Sequence, residues 1–392
     1  MTTTASRGPA KGSTRPEGKG RRSAVDARAR AYASTHNWIL LLTGVLCGIG
    51  LAMVLSATQV SSLYDSGNAW AAAAKQAMWL GLGVVALVLA RRIGYERLPR
   101  LAPLLLLIAF VTLVAVLIPG LGITVNGATR WIGVGQWRVQ PSEFAKLAMV
   151  VFVAKVLVEK ERQIDDWRAT LRPIAIVFVA FAGLLMLEPN LGTTMILAAI
   201  VLAMMLVGGV PGLPLATFGA TLVGAAVAFA IAVPFRMRRL LAFMDPWADP
   251  MNAGFQTIQS QIGFATGGLL GVGLGSGRAK WGFLPEASTD FIFAIIGEET
   301  GYLGVLVVIT LILSFGLLGS RVALRAPDRL GTLLASGITV WILVQAFVNM
   351  GAAVGVLPIT GVPLPFISAG GSSLVFTMAA VGVLLDIARR SR

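Results

Sequence analysis

The sequence predicts an all-α polytopic membrane protein with about ten transmembrane helices, both termini cytoplasmic and a large extracytoplasmic loop between helices 7 and 8. Three observations lead there. Apolar residues make up 56% of the 392-residue chain and charged residues only 13%, about half the charged share of a soluble domain. Apolar windows of about 20 residues, long enough to cross a hydrocarbon core, recur along the chain. Lysine and arginine gather in alternate connections between those windows, as the positive-inside rule requires of a polytopic chain.

In order, residues 1–37 form a basic tail, with Arg7, Lys11, Arg15, Lys19, Arg21, Arg22, Arg28 and Arg30 set among Gly, Pro, Ser and Thr. That composition predicts disorder, held near anionic lipid and not on nucleic acid. It lacks the pattern of a secretory leader. Crossing helices are expected near 38–58, 71–91, 100–119, 142–159, 171–187, 191–209, 213–233, 290–318, 332–356 and 367–387, within one membrane domain spanning 38–388 and followed by a cytoplasmic end at 389–392. Basic clusters follow helix 2 (Arg91, Arg92, Arg97, Arg100), helix 4 (Lys160, Arg162, Arg168, Arg172) and helix 8 (Arg321, Arg325, Arg329), and the C-terminus ends with Arg389, Arg390 and Arg392. An even helix count puts all of these, and the tail, on one side; an odd count would split them.

The opposite side then holds loops at about 120–141, 234–289 and 357–367. The first contains an NG pair and the alternating run ATRWIGVGQWRV, which predicts a short two-stranded ribbon with glycine turns. The second is too polar to span and too apolar for a free linker, so amphipathic, partly helical pieces at the interface are expected. The third leads into PLPFISAGGSS at 363–373, irregular backbone tolerated at membrane depth only when buried in protein or lining a cavity; Ser368, Gly370 and Gly371 lie in it.

Cys47 is the single cysteine, which excludes an intramolecular disulfide, and His36 the single histidine, which excludes His-based triads and His-ligated zinc. The candidate functional residues are therefore carboxylates and cations. Asp290 stands where a polar, glycine-rich segment meets an apolar helix, with Glu298 and Glu299 about 12 Å further along it. Arg236, Arg238, Arg239, Arg278 and Lys280 sit on the outer side against the orientation rule. They either snorkel to headgroups or bind an anionic substrate, arginine being suited to phosphate oxygens. Trp131 and Trp137 are interfacial anchors or, beside Arg130, a platform for a sugar or a lipid pyrophosphate. Glu143 and Lys146 share a helix face, as an ordering ion pair or as part of a reacting centre. Glu188 and Asn190 border a tight turn and read as cap residues.

The strings NGATRWIGVG with QPSEFAKL, LEPNLGTT, DPWADP with GFQTIQS, FLPEASTDFIFAIIGEETGYLG and GVPLPFISAGGSS occur in the order found in the SEDS family of shape, elongation, division and sporulation proteins. The resemblance runs from the first helix to the last, and RMRRLLAFMDPWADP and GLGSGRAKWGFLPEASTD look more like the division member than the elongation member. It implies a peptidoglycan glycosyltransferase that polymerises lipid II at the outer face of the bacterial cytoplasmic membrane, beside a class B penicillin-binding protein and, for a division enzyme, other divisome membrane proteins. The family's essential acid falls on Asp290, its loop tryptophan on Trp131, and the Glu and Lys of its QPSExxK motif on Glu143 and Lys146. Three positions depart from the pattern: Ser288 where His is common, Glu188 with Asn190 where the acid usually stands at 190, and Ala369 where Tyr is common.

In the reaction so implied, Asp290 is the expected base, Arg130, Arg236, Arg239 and Lys146 the candidate pyrophosphate partners, and Trp131 a positioner of sugar or lipid. A divalent cation could assist the leaving group, but no ligand cluster in the sequence specifies one. A lipid flippase and a non-catalytic scaffold are the rival readings, and helix-capping the rival role for Asp290.

Overall fold

The computed structural model describes the backbone of residues 17–125, 127–135, 137–164, 166–232, 237 and 242–391, with side chains from Thr35 onward apart from positions 167, 230 and 232. Its described residues form eleven α-helices and one three-stranded sheet. The helices are α1 (Glu17–Ser66), α2 (Ala71–Ile93), α3 (Leu98–Leu117), α4 (Pro141–Glu159), α5 (Trp167–Leu187) and α6 (Leu191–Val207). There follow α7 (Gly212–Ala232), α8 (Phe255–Gly267), α9 (Ile292–Leu324), α10 (Arg329–Val354) and α11 (Gly371–Arg390).

Eight of these (α1, α2, α3, α5, α7, α9, α10 and α11) are long and apolar enough to cross a membrane. The expected ten are completed by α6, apolar but only 17 residues long, and by α4, which carries Glu143, Lys146, Lys155 and Glu159. α4 is tolerated because it is central: most of its residues, including Glu143 and Lys146, are fully enclosed by neighbouring helices. α7 is the opposite case, with no residue of its apolar window fully buried by the rest of the chain. α1 is helical from Glu17, so the basic segment expected to lack structure in part continues the first crossing helix. Its SAVDARARAYA run is rich in good helix formers.

The parity argument has a geometric counterpart. Arg390 on α11 pairs with Glu96 at 2.7 Å and Asp386 at 3.1 Å, and the Tyr95 hydroxyl donates to Asp328 at 3.1 Å. Arg329 pairs with Glu161 at 2.9 Å. The connections after helices 2, 4 and 8 and the C-terminus therefore meet at one end of the bundle, as a single cytoplasmic face demands.

At the other end, the ribbon has three antiparallel strands instead of two: β1 (Gly122–Val125), β2 (Ala128–Val134) and β3 (Trp137–Val139), in that spatial order. Gly133 makes the third strand fit, since a Cβ there would lie 1.8 Å from the Trp137 carbonyl oxygen. Trp137 meets Trp79 of α2 edge-on at 5.7 Å and so fixes the ribbon to the bundle.

α9 is interrupted where the sequence predicts a continuous helix. Gly301 has φ 67° and ψ −166°, a conformation open essentially to glycine alone. The loop after α8 fills the gap: Val272 and Gly273 donate to the carbonyls of Glu298 and Glu299, and Tyr302 and Leu303 donate to those of Gly268 and Leu269. Backbone broken at this depth persists because those four groups have protein partners.

Candidate active site at the outer end of the bundle

A cavity of about 630 Å³ opens at the end opposite the basic connections. Its walls come from four places: the ribbon (Arg130, Trp131), the turn between α5 and α6 (Pro189), the segment before α9 (Glu286, Thr289, Asp290) and the stretch after α10 (Thr360, Gly361). Gln140 and Gln256 also line it. Three residues expected to act together, Asp290, Arg130 and Trp131, are thus brought into one cavity although they lie far apart in sequence.

Asp290 precedes α9 by two residues. The helix is N-capped by Phe291, which makes no side-chain capping bond. A tight turn places Asp290. Glu286, at φ 56°, offers its carbonyl to the N–H groups of Thr289, Asp290 and Phe291 at 3.1–3.2 Å, and its carboxylate accepts from the Thr289 hydroxyl at 2.7 Å. From behind, Ser368 donates to the Thr289 carbonyl at 2.6 Å and accepts from Leu364 N–H at 2.8 Å, while Ala369 N–H donates to Ser288 at 2.9 Å. The irregular 363–373 segment is therefore a buttress for the Asp290 turn, with Ser368 as its buried pin.

Arg130 is held by backbone: its Nε donates to the Glu188 carbonyl at 3.1 Å and its Nη2 to that of Pro189. A Cβ built on Gly361, whose φ is 71°, would lie 3.6 Å from Asp290 Oδ2 and 3.7 Å from Arg130 Nη1. The carboxylate and the guanidinium are accordingly both close to this one glycine. Glu188 lies just beyond α5, fully buried, and neither carboxyl oxygen has a hydrogen-bond partner among the described residues. Burial pushes its acid up to about 8, against the opposing pull of the Arg130 charge, so it is neutral at pH 7.

The remaining candidates sit elsewhere. Lys146 is completely buried, donating to Glu143 at 2.8 Å and to Gln345 at 2.6 Å with its ammonium 5.0 Å from the Trp341 ring; it belongs to a dry network that does not line the cavity. Lys280 pairs with Glu299 at 3.4 Å and donates to the Gly275 carbonyl, while the Ser56 hydroxyl of α1 lies 2.6–2.7 Å from both Glu299 oxygens. Glu298 accepts from the N–H groups of Arg278 and Ala279. This cluster anchors the 268–281 loop to α9. A Cβ on Gly371 would strike the Trp79 ring at 2.4 Å, so that glycine admits a neighbour, whereas a Cβ on Gly370 would make only ordinary contact with Ser373 and Pro363. Arg236 and Arg239 lie outside the described residues.

Sequence reasoning passed over Gly361, Glu286, Gln345 and Asn349. The last two had a readable signal, being carboxamides one helical turn apart in an apolar crossing helix.

These features define an integral membrane protein with a polar-lined cavity at the end of the bundle opposite its basic connections. The chain belongs to the FtsW/RodA/SpoVE family of cell cycle proteins, whose model matches residues 37–392. It is 41% identical to stage V sporulation protein E of Bacillus subtilis (strain 168), over 90% of this chain and 97% of that one. It is 38% identical to the probable peptidoglycan glycosyltransferase FtsW of Geobacter metallireducens, over 90% and 94%. Among solved structures, a chain from a peptidoglycan synthase complex that coordinates polymerization and crosslinking superposes with a TM-score of 0.71 at 30% identity, covering 90% of this chain and 96% of that one.

Proposed function

We propose that this chain is a peptidoglycan glycosyltransferase that polymerises lipid II at the outer face of the bacterial cytoplasmic membrane, in septal wall synthesis. The observation that carries the reading is the meeting of Asp290 and Arg130 beside Gly361 in one cavity at the end opposite the basic connections. Asp290 takes the proton from the acceptor sugar hydroxyl as its oxygen bonds to the anomeric carbon of the donor. The bond from that carbon to the pyrophosphate oxygen breaks, and the lipid pyrophosphate leaves with both electrons. Arg130, preset by two carbonyls, meets the charge that develops on it. Trp131 offers an aromatic wall to a sugar ring. Among the described residues no group of three or more His, Cys, Asp or Glu could hold a metal ion. An assisting divalent cation would therefore draw most of its oxygen ligands from the pyrophosphate. A class B transpeptidase is the partner this activity calls for, since glycan strands need crosslinking.

The interrupted α9 is the observation that favours translocation instead. Its opened backbone groups are occupied by the 268–273 loop, which supports the enzyme reading. The test is the full-length protein with lipid II, with and without a co-expressed transpeptidase. Glycan strands are expected from the wild type and none from Asp290→Ala. Normal polymer from the variant, or labelled lipid II crossing protein-only vesicles without polymer, would overturn the proposal.

A further inference from the structure

α10 carries two carboxamides that grip the cavity wall from behind. Asn349 is buried, and its Nδ2 donates to the carbonyl of Asp290 and to that of Val362, both at 2.8 Å. One turn earlier, Gln345 donates to the Pro363 carbonyl at 3.0 Å while its Oε1 accepts from Lys146 at 2.6 Å and Trp341 at 2.8 Å. Residues four apart share a helix face, so the pair holds successive carbonyls at 362 and 363.

The Asn349 bridge has a consequence that the Gln345 bond lacks. It ties together two backbone segments of the cavity wall, the Asp290 turn and the stretch that carries Gly361. The orientation of its amide is not a free choice. Carbonyl oxygens only accept, so a flipped amide would set Oδ1 against two of them. Both donors are used, and Oδ1 has no partner among the described residues, a cost the site bears to keep this bridge.

We propose that Asn349 is a positioning residue for the polymerase reaction: it sets the place of Asp290 against Gly361 by bridging the two backbones that carry them. This rests on the glycosyltransferase reading above. It assigns Glu143 and Lys146 a related place, as the buried ion pair that fixes Gln345 and through it the next carbonyl along.

The experiment measures lipid II polymerisation by the full-length protein, comparing wild type, Asp290→Ala, Asn349→Ala and the near-isosteric Asn349→Asp, each scaled to its folded fraction. Both Asn349 variants are expected to lose on the order of tenfold to a hundredfold in kcat, as small displacements of a reacting group do, with KM within about twofold. A merely structural asparagine would not alter the pH profile. Here Asn349→Asp should regain activity relative to wild type as pH falls, because a protonated acid can donate to one carbonyl and a carboxylate to neither. The inference fails if the variants keep wild-type kcat. It fails equally if their loss follows only the loss of folded protein, with unchanged pH limbs. A wild type that makes no polymer, or an active Asp290→Ala, would sink the polymerase reading instead, so the two failures are distinguishable. If Asn349→Ala does not fold, Asn349→Asp alone decides.

Discussion

Replacing Glu188 with glutamine should stabilise the protein, and by an amount that grows with pH. The unperturbed acid titrates near 4.5, and burial raises it in the fold to about 8. Between those values the folded state holds a proton that the unfolded state has released, so stability falls as pH rises through this window. Each pH unit costs about 1.4 kcal/mol, which puts the penalty at pH 7 at about 3 kcal/mol, to order of magnitude. Glutamine has no proton to lose. Glu188→Gln and wild type should therefore melt together near pH 4.5 and separate steadily up to pH 8, the variant melting several degrees higher in the same detergent. Above pH 8 the gap stops widening, because both states of wild-type Glu188 are then ionised. Activity adds a second readout. Ionised Glu188 would place a negative charge beside Arg130, weakening its hold on a departing pyrophosphate, so wild-type rate should decline above pH 8 more than the variant's. A melting difference that stays flat from pH 5 to pH 8 would refute the reasoning, since it would mean that Glu188 keeps an ordinary acid strength in the fold.

Other substitutions test the supports of the site. Gly301→Ala should cost about 1–3 kcal/mol for the backbone conformation alone, plus the clash of its Cβ 2.4 Å from Gly271 N; melting in detergent reads it. Gly371→Val should lose about 1–3 kcal/mol by driving a side chain into Trp79, and should be partly rescued by Trp79→Leu. Lys146→Met leaves Glu143 as a buried unpaired charge and should cost about 3–5 kcal/mol, most of which Glu143→Leu in the same chain should restore. Gly361→Ala is expected to polymerise poorly while folding, because its methyl would stand in ordinary contact with both Asp290 and Arg130; an unimpaired rate would show that the space beside Gly361 is not used.

What could be read from the sequence divides along a physical line. Periodicity and charge are local, and they located the crossing helices and the common face of the basic connections, which the Arg390–Glu96 and Arg329–Glu161 pairs bring together. Asp290, Arg130 and Trp131 stood out because a carboxylate, a cation and an aromatic ring at a membrane lip each need a reason. What stayed hidden depends on pairings distant in sequence. Nothing near Gly301 marks a break, because GEETGYLG is compatible with a helix until a glycine-rich loop thirty residues earlier supplies the missing bonds. Lys146 looked like a cation awaiting an anion, and only the fold shows Glu143, Gln345 and Trp341 closing around it. Gly361 is the sharpest instance. A glycine in a loop ordinarily signals a turn, and this one does have a positive φ. Its importance lies in its closeness to two groups, Asp290 and Arg130, that precede it by more than seventy residues, a meeting that no local pattern can encode.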